Sequence, residues 1–368
     1  MRVVIAGGGL TGLTAGVALR RAGHDVVVVE RAPAVRAAGS GIGLWRNALH
    51  VFERIGLGPQ VDRISTVVDT YFFDPAGHRL RAAGFGPADH QLFLIPRGAL
   101  NDLLAAAVGA ARIRLGVAVT GFDDGPAGVA VHLSDGEVLN ADLLVGADGV
   151  HSSVRAHLVP GSEAVPHAGH YAWRGLVPAG PERPRSTVLT IGHRRTRGGY
   201  TRIAGDRTMW MVNQFDCPPL TGTKREQALE RAHRLNDGGW QDDLLRMIES
   251  TPADDILFNP VLIVPELPTW TGPHTVLIGD AAHALSPHIS AGGNLGIEDV
   301  GVLASWLSRD PEPAAALPGY EKARRLRFDR VRRLSAEVAA ASGAAEFAER
   351  YATFSHWMLA SEPDAYPA

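Results

Sequence analysis

The chain has 368 residues, 45% apolar and 20% charged, with a net charge of −3 and a single cysteine, Cys217. At roughly 150 residues per domain, this length predicts two or three domains with a large core. The near-neutral charge argues against a dominant nucleic-acid partner, and one cysteine excludes an internal disulfide and fits a reducing compartment.

The first predicted element is a β-branched strand over residues 2–6. A helix over 10–22 follows, with Gly23 at its C-terminal cap, and then a strand over 25–30 (Asp-Val-Val-Val-Val-Glu). This is a βαβ unit of about thirty residues. Its turn reads Gly7-Gly8-Gly9-Leu10-Thr11-Gly12. Gly7 allows the tight turn, Gly9 admits a pyrophosphate to the backbone, and Gly12 lets helix and strand pack closely. Free N–H groups and the helix dipole favour the anion there. Glu30 ends the second strand, where a carboxylate accepts from ribose hydroxyls. Residues 46–55 and 97–108 read as helices, and 66–73 and 78–82 as strands around the turn Asp74-Pro75-Ala76-Gly77. Alternating strands continue through 131, with a hairpin signal at Ser134-Asp135-Gly136. A buried strand over 141–145 precedes Gly146-Ala147-Asp148-Gly149.

Residues 161–264 have a different, mostly β pattern. Strands are predicted over 171–177, 187–191, 199–203 and 208–215, helices over 225–235 and 242–249, and proline-marked loops at 178–184 and 260–273. A strand over 274–278 leads into Gly279-Asp280-Ala281-Ala282-His283. Helices over 295–307 and 313–350 close the chain. Seven cations between Lys322 and Arg333 read as a solvated or domain-contacting helix face, because Leu326, Val331 and Leu334 fall along one apolar side. No leader precedes the first strand and no apolar run suits a bilayer span, which predicts a cytoplasmic chain without stable membrane association. No clustered His, Cys or carboxylate spacing suggests a metal.

Three glycine-bearing segments, at 7–12, 146–149 and 279–283, each follow an apolar strand; the last two carry an acid. Together they point to a bound flavin dinucleotide. In the mostly β segment, alternation puts Tyr200 and Arg202 on one sheet face and Met209, Met211 and Asn213 on another, opposite Trp210. Tyr171, Trp173 and Arg174 come from one strand. Tyr200, Arg202, Met211 and Asn213 are the substrate-contact candidates, in a cleft between domains.

With these motifs the chain resembles the single-component FAD-dependent monooxygenases, the aromatic hydroxylases typified by 4-hydroxybenzoate hydroxylase, over nearly its whole length. The resemblance rests on Gly7, Gly9, Gly12 and Glu30, then on 39–44 with Asn47-Ala48-Leu49, and on Pro96-Arg97 with Leu100 and Leu103. It continues through Asp148-Gly149 with Ser152 and Arg155, and through 279–283 with Pro287, Gly292, Asn294, Glu298 and Asp299. It ends on Tyr320-Glu321 with Arg324, Arg327 and Ser335. Ser290-Ala291-Gly292 departs from the usual Gly-Gln-Gly, and Arg46 stands where many relatives have proline.

The resemblance implies an α/β fold: a Rossmann-like FAD-binding domain of glutathione-reductase type (1–66, 96–160 and 270–312), an inserted mostly β substrate domain (67–95 and 161–269) and a C-terminal helical segment (313–368). It implies FAD as cofactor, held by Gly9, Leu10, Thr11, Gly12, Glu30, Arg31, Gly41, Arg97, Asp148, Gly149, Gly279, Asp280, Gly292, Gly293, Asn294 and Leu295. NAD(P)H is implied as a transient co-substrate, for which no second glycine-rich unit exists, with O₂ as oxidant and a small phenol-like aromatic or polycyclic substrate. The implied chemistry is oxygen transfer from a flavin C4a-hydroperoxide by a monomer or homodimer. Pro287 and His288 fall in the loop that faces flavin and substrate, and a histidine there can orient or deprotonate a phenol. The alternatives are an epoxidase, or an FAD dehydrogenase or oxidase without oxygen insertion.

Overall fold

A computed structural model describes residues 1–35, 41–80, 91–180, 187–203 and 206–360. Gly39 and Ser40 of the second glycine-rich loop lie outside them.

The β-branched runs form a parallel sheet in the spatial order Thr275–Leu277, Leu143–Gly146, Arg2–Ala6, Asp25–Glu30, Ile113–Leu115. Val3, Val4, Ile5, Leu143, Leu144 and Val145 are fully buried, as expected for strands covered on both faces. Helix Leu10–Arg21 covers one face and packs on helix Gly292–Arg309. On the other face sits an antiparallel meander, Val119–Gly125, Gly128–Leu133 and Val138–Ala141. The strand predicted over 141–145 is therefore split, Ala141 belonging to the meander and 143–146 to the parallel sheet.

The mostly β segment forms a second, larger sheet. Its order is Leu257–Ile263, Val165–Pro178, Arg207–Gln214, Thr196–Ile203, Thr187–Ile191, Thr66–Phe73, Gln91–Ile95, Ile42–Leu44, with Arg79–Leu80 paired to Thr66–Phe73. The proline-marked loop expected over 260–273 begins later, because residues 260–263 belong to the strand Leu257–Ile263. It is an edge strand, where a missing N–H costs no ladder bond.

The two faces of this sheet have different partners. One carries Trp173, Val188, Tyr200, Trp210 and Val212 and packs on helices Lys224–Ala232 and Asp242–Ser250. The other carries Phe72, Ile191, Ile203 and Met209. It packs on Ile289 and Leu295 and on the C-terminal helices through Val331, Leu334, Phe347, Tyr351 and Phe354. The helix predicted over 313–350 is two, Pro313–Ala339 and Ala344–Ala360. The chain breaks at Ser342-Gly343, where the Ser342 N–H and hydroxyl both donate to Glu346 Oε2 at 2.6 Å and start the second helix.

Candidate active site

Sterics fix the nucleotide end. A Cβ on Gly7 (φ +104°) would lie 2.4 Å from the Ala147 carbonyl oxygen, and one on Gly12 would lie 1.9 Å from that of Gly7. A Cβ on Gly9 would meet nothing within 4 Å, so the backbone is open there. Glu30 accepts from the Gly8 N–H at 2.7 Å and the Ala32 N–H at 2.8 Å. A cleft of about 390 Å³ runs along this edge, lined by Gly7, Gly8, Gly9, Glu30, Arg31, Arg97, Asn101, Asp148, Gly149 and His151. Asp148 Oδ2 accepts from the Ser153 N–H and hydroxyl (2.8 and 3.0 Å) and caps the helix Ser153–Leu158, while Oδ1 is buried without a partner. Arg155 reaches from that helix to the Ala281 carbonyl at 3.0 Å and the Val150 carbonyl at 2.8 Å, tying the second glycine segment to the third.

The third segment turns at Gly279, whose φ of +59° and ψ of −141° suit glycine alone. Thr11 packs against it: a Cβ on Gly279 would lie 2.9 Å, and one on Gly296 2.5 Å, from Thr11 Oγ1. The Gly279 N–H and His283 Nε2–H donate to Asp299 Oδ2 (2.7 and 2.6 Å), and Arg324 donates to Oδ1 at 2.6 Å. Burial alone would raise the Asp299 carboxyl, but His283 and Arg324 hold it at about 2. Glu298 accepts from Arg324 at 2.9 Å and Arg327 at 2.6 Å, and also from Asn47. Two buried carboxylates and two arginines thus clamp the turn to the helix Pro313–Ala339.

Asp280, the first residue of the short helix Asp280–His283, is exposed yet ringed by protein. Those surroundings raise its pKa, opposed by His283 and Arg97. Arg97, the first residue of helix Arg97–Val108, lines the cleft and acts electrostatically on both Asp280 and Arg174. Gly292 and Gly293 open helix Gly292–Arg309, and a Cβ on Gly292 would lie 3.6 Å from Asp280 Oδ1. The Asn294 amide is consumed internally: Oδ1 accepts from the Trp45 N–H (2.8 Å), and Nδ2 donates to the Gly43 and Ser290 carbonyls (3.1 and 2.7 Å). Leu10 and Leu295 are core side chains. These three therefore offer a cofactor backbone atoms, not side chains. Gly41 sits against Ile203 of the larger sheet.

On the substrate side the structure corrects two residues. Tyr200 pairs with Trp210 and Arg202 with Thr208, and all four project from the face turned toward helices Lys224–Ala232 and Asp242–Ser250. Tyr200 is core and Arg202 pairs with Asp206 at 2.6 Å. Met211 and Asn213 lie on the face turned toward the 284–293 loop, since side chains alternate along a strand. Cross-strand neighbours on that face are Arg174 beside Met211, Ala172 beside Asn213, and Arg197 on the other side of Asn213. Arg197 is 6% exposed, donates to the Val338 and Ala339 carbonyls, and lies over the rings of Phe215 and Phe347. Burial, then the nearby Arg195, depress its pKa to about 9.

His288 and Pro287 form a short 3₁₀ turn whose proline is exposed. His288 is not a free base. Its Nε2 faces the Ser335 carbonyl at 3.1 Å and its Nδ1 the Ser286 hydroxyl at 2.7 Å, so neither nitrogen is left for a substrate. Burial, then the charge of Arg197, press its pKa well below the ordinary value. Sequence reading missed His170, which contacts the same Ser286 hydroxyl at 2.9 Å. The signal lay in Gly169, whose φ of +63° accompanies an irregularity in pairing between Pro166 and Tyr171.

A parallel sheet with a glycine-turned βαβ unit, a nucleotide-sized cleft and an acid at the strand end opposite defines a dinucleotide-binding flavoprotein. The chain belongs to the FAD binding domain family, which matches residues 1–234 and 268–335. It is 35% identical over 331 residues to aurachin C monooxygenase/isomerase of Stigmatella aurantiaca, covering 88% of this chain and 85% of that protein. It is 28% identical to 6-hydroxynicotinate 3-monooxygenase of Bordetella bronchiseptica, covering 91% of this chain and 90% of that one. The solved structure of 2-methyl-3-hydroxypyridine-5-carboxylic acid oxygenase, in its tetrameric form, superposes with a TM-score of 0.80 at 25% identity, covering 98% of this chain and 96% of that one. The chain is an FAD-dependent monooxygenase. Among the described residues no helix is long and apolar enough to cross a membrane.

Proposed function

We propose that this enzyme hydroxylates an aromatic ring bearing a hydroxyl or oxo group, bicyclic or larger, in the space between the larger sheet and the 284–293 loop. The observation that carries this reading is the two-part character of the sheet face opposite that loop. Leu176, Leu189 and Met211 are partly buried apolar residues, joined by Leu285 from the loop. Arg174 and Asn213 supply the polar groups beside them. An apolar slot with a few polar groups suits a flat ring system with one oxygenated edge. Two relatives are named for hydroxylated pyridine rings, which agrees with such a substrate.

The cleft fits FAD. Among the described residues Asp148 Oδ1 is a buried acceptor without a partner, Asp280 presents an exposed carboxylate, and the open backbone at Gly9 leaves room for a pyrophosphate. When bound, the flavin supplies hydride acceptance from NAD(P)H and activation of O₂. Glu30 would receive the adenosine ribose, Arg97 would neutralise phosphate, and Asp280 would accept from ribityl hydroxyls. The N–H groups of Gly292 and Gly293 would face the ring edge where negative charge grows on reduction. Arg174, its Nε buried without a partner and its NH₂ 3.1 Å from Asn259, would hold the substrate oxygen. We place the reaction in a reducing cytoplasmic compartment, consistent with one free cysteine. The division into a discontinuous flavin domain, a substrate domain and a C-terminal helical segment belongs to the same proposal.

The test is a panel of hydroxybenzoates, hydroxypyridines and 4-quinolones, scored for stimulated NAD(P)H oxidation and for oxygenated product. Product from the bicyclic compounds, weakened at least tenfold in kcat/KM by Arg174→Gln, is expected. Stimulation without product from any aromatic would favour an oxidase, and product only from an isolated alkene would favour an epoxidase.

A further inference from the structure

Helix Lys224–Ala232 presents Arg231 to the turn after strand Arg207–Gln214, where the single cysteine lies. Arg231 is 3% exposed, and its guanidinium lies over the Trp173 ring, 5.0 Å from the centroid. Its Nη1 is spent on the Gln227 carbonyl at 3.0 Å and on Glu230 at 2.9 Å. Its Nη2 donates to Cys217 Sγ at 3.1 Å. Nε shares the planar edge of Nη2, is buried, and finds no acceptor among the described residues. That edge is a two-pronged donor with a sulfur atom at one prong and no acceptor at the other. A buried N–H left without an acceptor is costly in a native fold.

Both partners are held in place. The Cys217 N–H donates to the Gly169 carbonyl at 3.0 Å, and a Cβ on Gly169 (φ +63°) would lie 3.0 Å from the Cys217 nitrogen. The sulfur is within reach of small solutes, because Cys217 is half-buried and flanked by exposed Asp216, Pro218 and Pro219. Asp216 is paired with Arg195, and Glu230 is shared between Arg231 and Arg234. A partly exposed sulfur beside a cation is the setting in which a cysteine is oxidised. The chain has no second cysteine, so an internal disulfide cannot divert the first product.

We propose that Cys217 is an oxidative modification site, and that Arg231 receives its product, a sulfinate whose two oxygens accept from Nε–H and Nη2–H. The oxidant is hydrogen peroxide, formed when reduced flavin passes its electrons to O₂ without oxygen transfer. Sulfur attacks one peroxide oxygen, and an S–O bond forms as the O–O bond breaks. The leaving hydroxide takes the thiol proton and departs as water. A second peroxide repeats the step on the sulfenic acid, whose proton leaves with the second hydroxide as water. Sulfur loses two electrons in each step, and each peroxide gains them. The sulfinate is an anion with two oxygens, so it meets the fork as a carboxylate does. Oxidation here adds an ion pair to the fold and stops at the sulfinate.

The test treats the FAD-loaded enzyme with hydrogen peroxide, without NAD(P)H, and weighs the Cys217 peptide by mass spectrometry, with dimedone present to trap the sulfenic acid. The peptide should take up dimedone early and, without it, stop at two added oxygens. Arg231→Lys keeps a cation but loses the fork, and its peptide should run on to three. In wild type labelled with ¹⁵N-arginine, one Nε–H should move downfield on oxidation, and none should move in Cys217→Ser treated alike. Oxidation should also raise the melting temperature by about 2–4 °C relative to Cys217→Ser treated alike. An unmodified Cys217 peptide, or a wild-type peptide that runs on to three oxygens, overturns the proposal. So does an Nε–H that stays in place, or a melting temperature that is unchanged or lower. If Arg231→Lys does not fold, the wild-type spectra and the serine control decide.

Discussion

Asp280 is the residue on which cofactor retention should depend most. Its exposed carboxylate stands 3.6 Å from where a Cβ on Gly292 would lie, at the start of the helix whose N–H groups would face the flavin. Losing a charged hydrogen bond to a ribityl hydroxyl costs about 1.5–3 kcal/mol, so Asp280→Ala should weaken FAD binding roughly ten- to a hundredfold. Equilibrium dialysis of folded mutant would show it, and an unchanged Kd would remove Asp280 from the site. Ser290 makes the opposite case. It sits at φ +53°, ψ +30°, a conformation that costs non-glycine residues about 1–2 kcal/mol, partly offset by glycine's greater loss of entropy on folding. Ser290→Gly should therefore stabilise the protein by about 0.5–1 kcal/mol. Its carbonyl would still accept from Asn294, so the loop geometry would survive. A lower urea midpoint in the mutant would mean that the hydroxyl has a role of its own.

The C-terminal helices act as one clamp at the scale of elements. Helix Pro313–Ala339 contributes Arg324 to both buried carboxylates of helix Gly292–Arg309. Arg324→Met removes the cation shared by two buried acids, leaving Glu298 to Arg327 and Asp299 to His283, and breaking such a buried network typically costs about 3–5 kcal/mol. The same mutant should lose flavin affinity, because Asp299 also holds the Gly279 N–H. If urea unfolding showed a cost below 1 kcal/mol, the clamp would be incidental. Helix Ala344–Ala360 seals the other side. Phe354 is fully buried, edge-on to Trp45 at 5.8 Å, and Tyr351 packs edge-on against Phe72 at 4.6 Å. Phe354→Ala should cost about 3–5 kcal/mol through transfer and cavity terms, read as a shift in urea midpoint at unchanged slope.

For the whole molecule, stability should depend on acidity in two stages. His170 is held neutral, burial and then His167 depressing its pKa to about 3, and His288 is depressed as well. In this range the unfolded chain binds the proton and the folded one does not. Stability is therefore complete above about pH 6.5 and declines as pH falls toward 3, by at most about 1.4 kcal/mol per pH unit for each histidine. Asp299 is depressed to about 2, so its contribution is present above its unfolded value near 4 and is lost between about 4 and 2. Urea midpoints should fall already between pH 6.5 and 5, before Asp299 titrates. A flat profile down to pH 5 would show that the two histidines are charged, or exposed, in the native state.

The amino-acid sequence by itself determined the flavin half of this enzyme. Gly7, Gly12 and Gly279 are local necessities of turn and close approach, and the acids Glu30, Asp148 and Asp280 follow within a few residues of a strand end, so short-range spacing carries their meaning. The β-branched runs likewise reveal the parallel strands, because burial on both faces leaves no alternation to misread. Alternation also separated Tyr200 and Arg202 from Met211 and Asn213. Only the tertiary structure decided which set meets the 284–293 loop, since period-two patterning is the same whichever face a neighbouring element covers. The irregular pairing near Gly169 that brings His170 to Ser286, the Pro260 edge strand, and the break that folds Phe354 onto Trp45 all depend on partners more than eighty residues away in the chain. The protonation of His288 was decided there too, because it is set by a carbonyl, a hydroxyl and an arginine supplied by three separate segments.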